Sequence, residues 1–395
     1  MIATLFWGCV GVVLYTYLGY PVLLAVLARL RPKPPHYEPI TPTVTLLIAA
    51  YNEEAVIAQK LDNSLALDYP PEKLHILVAA DGSDDRTPDL VRNYAGRGVE
   101  LSYSPPRRGK MAAINRAIAQ VRGEIVVFSD ANNLYEPAAV RELVAPFADP
   151  QVGAVTGAKS ILSGDGALGE SEGLYWRYES FIKKQETHLG CCTGVAGEIL
   201  AIRRRLFELP PEHIINDDFY MAMSLVKRGY RVVYAPQARS WERVSLSAQD
   251  EVTRRARIVA GRYQVITLAP RLLPWQRPLV VWQVVSHKFL RPLVPLAMLG
   301  ALLANLLSLF WPDRSPRRSL FRLTPPFNWL MLGLQLLFYG LAWLGNRRER
   351  GDKLGKLLYL PAFLVNSNLA ALMGLYRSLR GGQSSLWQRV QRRGE

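Results

Sequence analysis

The sequence predicts an α/β domain with a mostly parallel sheet, carried together with transmembrane helices. Three observations predict it. From Thr43 to about Tyr234, short β-branched and aromatic runs alternate with amphipathic stretches, the pattern of strands and crossover helices. Several of those runs end in carboxylates or amides, at the strand ends where open α/β sheets leave room and unpaired polar groups for a ligand. Outside that region lie four uncharged apolar runs, Ile2 to Ala28, Leu293 to Trp311, Phe327 to Gly345 and Leu357 to Tyr376. Each is close to the roughly 20 residues that cross a hydrocarbon layer.

In chain order, residues 1–30 form a membrane anchor. No basic residue precedes the first apolar run and Arg29, Arg31 and Lys33 follow it, which argues against a cleaved leader and for a start outside and an end in the cytoplasm. A proline-rich spacer occupies 31–42. Within the α/β region, 43–270, strands are expected at Val44 to Ala50, Leu74 to Ala80, Val99 to Tyr103, the run entering Asp130, and Ile199 to Ile202. Helices are expected over Glu53 to Leu67 and from Lys110 onward. The segment 271–291 mixes Trp275, Trp282, Arg277, His287 and Lys288 with Leu and Val, and reads as an interfacial amphipathic helix with His287 at headgroup depth. The remaining apolar runs fill 292–377, and 378–395 is a basic tail. Four crossings would put both ends outside, whereas the basic stretches Arg347 to Lys356 and Arg377 to Arg393 favour the cytoplasm. Both hold only if Leu357 to Tyr376, interrupted by Pro361, Asn366 and Asn368, is re-entrant; its length favours four spans.

The net charge of +15 over 395 residues is concentrated beside the apolar runs, so the partner it implies is anionic membrane lipid and not nucleic acid. Of the three cysteines, Cys9 lies in an apolar run and Cys191 and Cys192 are adjacent, which suits reduced thiols better than a disulfide or a metal site.

The stretch Glu124 to Asn133, EIVVFSDANN, is the centre of the reading. A buried strand delivers Asp130 to the sheet edge, where a carboxylate either ligates a hard divalent cation or caps the next helix. The residues alone leave both open. Thr193-Gly194-Val195-Ala196-Gly197 is a loop of small side chains that permits close backbone approach, as a sugar or as an ordinary tight connection requires.

Six segments in order, AAYNEE, AADGSDD, GKMAAIN, FSDAN, TGVAGEILAIRR and NDDFYMAMSLVKRGYRV, resemble a membrane-anchored family 2 glycosyltransferase with the GT-A, Rossmann-like fold. The cellulose, chitin and hyaluronan synthases are its nearest kin, and the resemblance covers Thr43 to Gln264. It implies that Tyr51, Asn52 and Glu53 line the nucleotide, that Asp81 contacts the uracil or ribose, and that Lys110 lies beside the diphosphate. It gives Asp130 and Asn132 the metal, Mg²⁺ or Mn²⁺, with Asn132 standing where the family carries a second aspartate. Aligning Gly229-Tyr230-Arg231 places Asn216, Asp217 and Asp218 on the acidic triplet that opens a helix, with Asp218 as the base that deprotonates the acceptor hydroxyl and Asp217 supporting it. Thr193 and Gly194 fall on the acceptor loop. The counterpart of the synthases' Gln-x-x-Arg-Trp is Arg254-Arg255-Ala256-Arg257-Ile258, so Arg254 and Arg257 retain a diphosphate role while the tryptophan that stacks on the acceptor is missing.

The implied activity is an inverting transfer from a nucleoside-diphosphate sugar, UDP-linked, to a growing polysaccharide or lipid-linked acceptor. It would take place at the cytoplasmic face of the plasma membrane. A single-step glycolipid transferase and a catalytically silent nucleotide-sugar-binding scaffold are the alternatives.

Overall fold

The run VTLLIAA forms β1, Val44–Ala50, in the computed structural model, which describes residues 1–161, 166–243, 248–313, 318–347 and 353–380. Every position of β1 is buried, as a strand covered on both faces must be. The following strands are β2 (Leu74–Asp81), β3 (Val99–Ser104), β4 (Ile125–Asp130), β5 (Asn133–Tyr135), β6 (Val152–Ile161), β7 (Leu200–Arg203) and β8 (Arg231–Glu242). They join in one sheet in the order β3-β2-β1-β4-β7-β6-β8-β5. β1 runs parallel to β2 and β4, β2 to β3, and β6 to β8, while β7 is antiparallel to β4 and β6 and β5 to β8. The sheet is therefore mixed but mostly parallel, as expected. Registers of Ala49 with Asp130 and Ala50 with Ala80 bring the carboxyl ends of β1, β2 and β4 to one edge.

The core of this unit packs Leu46, Ile48, Val78 and Val127 from the sheet against Ile57, Leu61, Val140 and Leu143 from helices. Each such side chain contributes roughly 1.5–3 kcal/mol of burial. The first expected helix is shorter than its apolar spacing implied, Ile57–Leu65 and not Glu53 to Leu67. Asn52 adopts a left-handed φ of 52°, and the amides of Asn52, Glu53 and Glu54 are taken by Ser83, Thr87 and Asp85 from the loop after β2. Those bonds hold the chain in a turn and delay the helix. Likewise the strand expected at Ile199 starts at Leu200, after a 3₁₀ turn over Gly197–Ile199.

The chain divides into two units, of which the sheet-bearing one comprises Leu24–Glu251 and Gln264–Val284. The second unit, Met1–Leu23, Val252–Tyr263 and Val285–Gly382, is helical. Three helices among the described residues are long and apolar enough to cross a membrane, Ile2–Leu30, Pro278–Phe310 and Phe327–Arg347. The expected interfacial helix is thus not separate: it starts at Pro278, past the exposed Trp275, and continues without a break into the span. Leu357 to Tyr376 lies in the helix Lys353–Leu379. Residues 348–352 of the basic stretch and 381–395 of the expected tail lie outside the described residues.

Each of the first two spans contains one π-helical turn, Tyr15–Gly19 and Val285–Phe289. The turns meet, Tyr15 Oη lying 2.8 Å from Ser286 Oγ and the Tyr20 ring 6.0 Å from that of His287, which is fully buried. Side-chain amides of Asn346 and Asn366 bond reciprocally between two further helices. These polar groups are satisfied inside the helical unit, while Leu18, Leu303, Trp329 and Leu336 stay exposed, as lipid contact demands.

Candidate active site

At the end of β2, Asp81 is buried and accepts hydrogen bonds from the amides of Arg108 at 2.9 Å and Gly109 at 2.8 Å. Gly82 follows with φ +61°, and a side chain there would meet Pro105 O and Arg107 N at 2.6 Å. The loop from Ser104 to Gly109 is thus pinned against the strand end by a carboxylate and by a residue that only glycine can supply. Pinning it lays the Arg107 guanidinium over the Tyr51 ring at 3.8 Å. On the other side of Tyr51, Asn52 exchanges bonds with Asp84. Tyr51, Asn52 and Asp81 therefore share one wall, but Asp81 is already engaged with loop amides and acts first as the clamp of that loop.

Gly109 ends the loop, and Lys110 opens the next helix, Lys110–Ala117. A cation is unfavourable at a helix start, and the partner that holds it there is Asp130, whose Oδ1 accepts from Nζ at 2.6 Å. Burial alone would push the Lys110 ammonium down, but Asp130, Asp217 and Asp218 together hold it above the ordinary lysine value. Three carboxylates thus act on one ammonium, joining the end of β4 electrostatically to the start of the helix Asp217–Lys227.

The segment after Asp130 is fixed from below. Asn133 is fully buried and receives the Lys60 ammonium on its carbonyl at 2.7 Å and on its Oδ1 at 3.1 Å. Burial lowers Lys60 to about 7, against the pull of Asp130. Asn132 donates its amide nitrogen to Glu242 at 3.4 Å, and its Oδ1 takes no hydrogen bond among the described residues. Asp130 is 40% exposed. One open carboxylate and one amide oxygen form a hard-donor pair that fits a divalent cation but does not complete its shell. No group of three His, Cys, Asp or Glu able to hold a metal occurs among the described residues. Any such ion would take its remaining oxygens from its ligand and from water.

On the opposite side, Asp217 and Asp218 occupy the first turn of their helix, where acidic groups suit the dipole. Asp218 accepts from the Phe219 amide at 2.7 Å. Even so its carboxyl is pushed up to about 6, first by burial and then by Asp217, against the lowering effect of Lys110. Gly197 presses on this residue: a Cβ there would lie 3.2 Å from Asp218 Cβ. The loop Thr193 to Gly197 is therefore an approach to Asp218, with Thr193 tied by its amide and hydroxyl to the buried Glu186 at 2.7 and 2.8 Å. Cys191 and Cys192, at the base of the loop, are free thiols, and burial raises both above the ordinary range.

The sheet-bearing unit thus gathers Tyr51, Asn52, Glu53, Asp81, Lys110, Asp130, Asn132, Thr193, Gly194, Asp217 and Asp218, while Arg254 and Arg257 fall in the segment Val252–Tyr263 of the helical unit. Sequence reasoning missed Arg107, Lys60, Glu186 and Glu198. Arg107 and Glu198 lie inside segments already singled out, next to Lys110 and Gly197; Lys60 sits mid-helix and Glu186 in the last turn of its helix, where only their burial marks them.

A mostly parallel sheet with acidic groups gathered at its strand ends is the frame in which open α/β domains bind ligands. Residues 42–261 match the family model described as glycosyltransferase like family 2, and the chain belongs to that family. It is 29% identical over 232 residues to a poly-beta-1,6-N-acetyl-D-glucosamine synthase of Staphylococcus aureus (strain COL), the match covering 56% of this chain and 55% of that one. A probable glycosyltransferase of Bacillus subtilis (strain 168) is 28% identical, covering 51% of this chain and 50% of its own. The chain thus spans about half the length of the curated relatives it matches. A mannosyltransferase from Pyrobaculum calidifontis, solved in complex with GDP-Man and Mn²⁺, shares the fold with a TM-score of 0.65 at 23% identity, over 94% of this chain and 99% of that one.

Proposed function

We propose that this protein is an inverting glycosyltransferase that moves a sugar from a nucleoside diphosphate, UDP in the first instance, to a saccharide or lipid-linked acceptor at the cytoplasmic face of the plasma membrane. The single observation that carries the reading is the set of three carboxylates around Lys110, which sets a metal-side group, Asp130, opposite a raised carboxyl, Asp218. Asp218 takes the proton of the acceptor hydroxyl as its oxygen attacks the anomeric carbon, and the bond to the diphosphate breaks with its electron pair leaving on phosphate oxygen. A carboxyl near 6 is mostly ionised at neutral pH and still basic enough to accept that proton. Lys110 offsets the charge of the leaving diphosphate as a point charge. Asp130 and the Asn132 Oδ1 would hold Mg²⁺ or Mn²⁺, which when bound neutralises the diphosphate. The wall of Tyr51, Asn52 and Asp81, with Arg107 behind it, takes the base and ribose. Arg254 and Arg257 bind diphosphate in this reading, the helical unit spans the membrane three or four times, and its basic margins bind anionic lipid.

The staphylococcal relative makes N-acetylglucosamine the first sugar to test. Purified protein in lipid nanodiscs, given UDP- and GDP-sugars with Mn²⁺ or Mg²⁺, should release nucleoside diphosphate and form a glycoside. Nucleotide binding without turnover for any donor and acceptor would overturn the reading in favour of a silent scaffold. Product length separates the two enzyme variants: a ladder marks a polysaccharide synthase, and a single added sugar marks a glycolipid transferase, which the absent stacking tryptophan favours.

A further inference from the structure

We infer that Trp176 and Glu198, grouped around Lys159, form a subsite for the acceptor saccharide. The inference rests on the glycosyltransferase reading above and names the side chains that recognise its acceptor.

Lys159 is buried near the end of β6, and its ammonium joins two carboxylates, lying 3.3 Å from Glu198 Oε1 and in direct contact with Glu242. The same ammonium stands 5.4 Å from the centre of the Trp176 ring, on the helix Gly166–His188. Around this one cation, the buried Trp176 indole N–H makes no hydrogen bond among the described residues, and Glu198 Oε1 makes none beyond its ion pair with Lys159. One is a donor and the other an acceptor. A buried N–H without a partner is rare, because it costs the desolvation of a polar atom, and an ion-paired carboxylate oxygen still has a lone pair to offer, so the two together suit a ligand that both donates and accepts. A sugar hydroxyl does both.

The position fits an acceptor. Glu198 directly follows Gly197, whose α-carbon packs against Asp218. The Glu198 carbonyl is fixed by Asn133 Nδ2 at 2.9 Å and Tyr135 Oη at 2.7 Å, so this backbone is held from β5, the strand that follows Asp130, as well. Glu242, the second partner of Lys159, also receives Asn132. The cluster therefore bridges the metal side and the base side, where the sugar offering its hydroxyl to Asp218 has to rest. A hydroxyl of that sugar accepts from Trp176 Nε1–H and donates to Glu198 Oε1, and the indole provides the apolar surface that the altered arginine motif no longer supplies. Lys159 holds the Glu198 carboxylate in place.

The test measures acceptor and donor KM separately in nanodiscs for wild type, Trp176→Phe and Trp176→Ala. The probes are a soluble β-linked N-acetylglucosamine tetramer and, in a second arm, an N-acetylglucosaminyl lipid. Trp176→Phe keeps a ring and deletes only the N–H, so the acceptor KM should rise about fivefold, and further in Trp176→Ala, while the donor KM moves less than about twofold. Calorimetric UDP affinity within twofold of wild type shows that the variants are folded. A rise in one arm alone identifies whether the saccharide is free or lipid-borne. An unchanged acceptor KM in both arms, or a donor KM that rises equally, overturns the subsite. Wild type inactive toward every donor would instead overturn the glycosyltransferase reading itself.

Discussion

Replacing Asp218 by asparagine should sharply reduce activity and at the same time make the protein more stable, and the two effects have one cause. The Asp218 carboxyl rises from 3.8 to about 6, so its ionised form is destabilised in the folded state by roughly 3 kcal/mol. The side chain is only partly covered, and water screens some of this, which leaves about 1–3 kcal/mol. The sign follows from linkage. Between 3.8 and about 6 the folded protein binds the extra proton, so native stability is fully present below 3.8 and is lost as pH rises through 6. Asparagine keeps the acceptor for the Phe219 amide but never ionises, so it escapes that loss. At about 2–4 °C per kcal/mol for a domain of this size, the variant should melt on the order of 2–12 °C above wild type near pH 8 and together with it near pH 4. Scanning fluorimetry of both proteins in nanodiscs across this range reads the difference directly. Equal melting near pH 8, or a gain that persists undiminished near pH 4, would refute the argument that Asp218 is held in an unfavourable charged state.

Other consequences can be checked beside it. The rate at low substrate should climb as pH rises through about 6 and then level off, because the base must be ionised; a bell centred lower, or a flat profile, would contradict this. Lys110→Met leaves Asp130, Asp217 and Asp218 without their shared cation, so donor KM should rise roughly tenfold or more and the midpoint of that pH profile should move upward. Gly197→Ala sets a methyl 3.2 Å from Asp218 Cβ; kcat should fall about tenfold with nucleotide affinity retained, since the displaced group is the proposed base and not the proposed donor wall. Chelation should stop turnover and added Mn²⁺ or Mg²⁺ restore it, with Asp130→Asn raising the metal concentration for half-activation about tenfold.

Much of this was legible in the sequence because it depends on local pattern. VTLLIAA and IVVFSD cannot be anything but short buried segments, and their shared parallel direction places Asp130 beside the end of β1. The acidic helix start at Asp217 and the small-residue loop at Gly197 were visible for the same reason. What stayed hidden depends on contacts distant in sequence. The role of Asp81 as a loop clamp needs the backbone of Arg108 and Gly109, 27 and 28 residues away. The delayed start of the helix at Ile57 comes from Ser83, Asp85 and Thr87, which no helical periodicity near Glu53 reveals. Lys60 and Lys159 look like surface lysines in the sequence, and only the fold shows that both are buried behind the strand ends. The helix Pro278–Phe310 reads as two segments in the sequence because its basic and aromatic start resembles an interfacial stretch, while the backbone stays helical through the π-turn Val285–Phe289.

The central claim is that Asp218 is the base of a sugar transfer from a nucleoside diphosphate, and its most direct test is turnover of purified protein in nanodiscs beside Asp218→Asn. With UDP-N-acetylglucosamine or another donor of the panel, Mn²⁺ and acceptor, wild type should release the diphosphate and form a glycoside. The variant should bind the nucleotide equally well yet turn over about 10²–10⁴ times more slowly. A variant that transfers sugar at the wild-type rate would contradict the account.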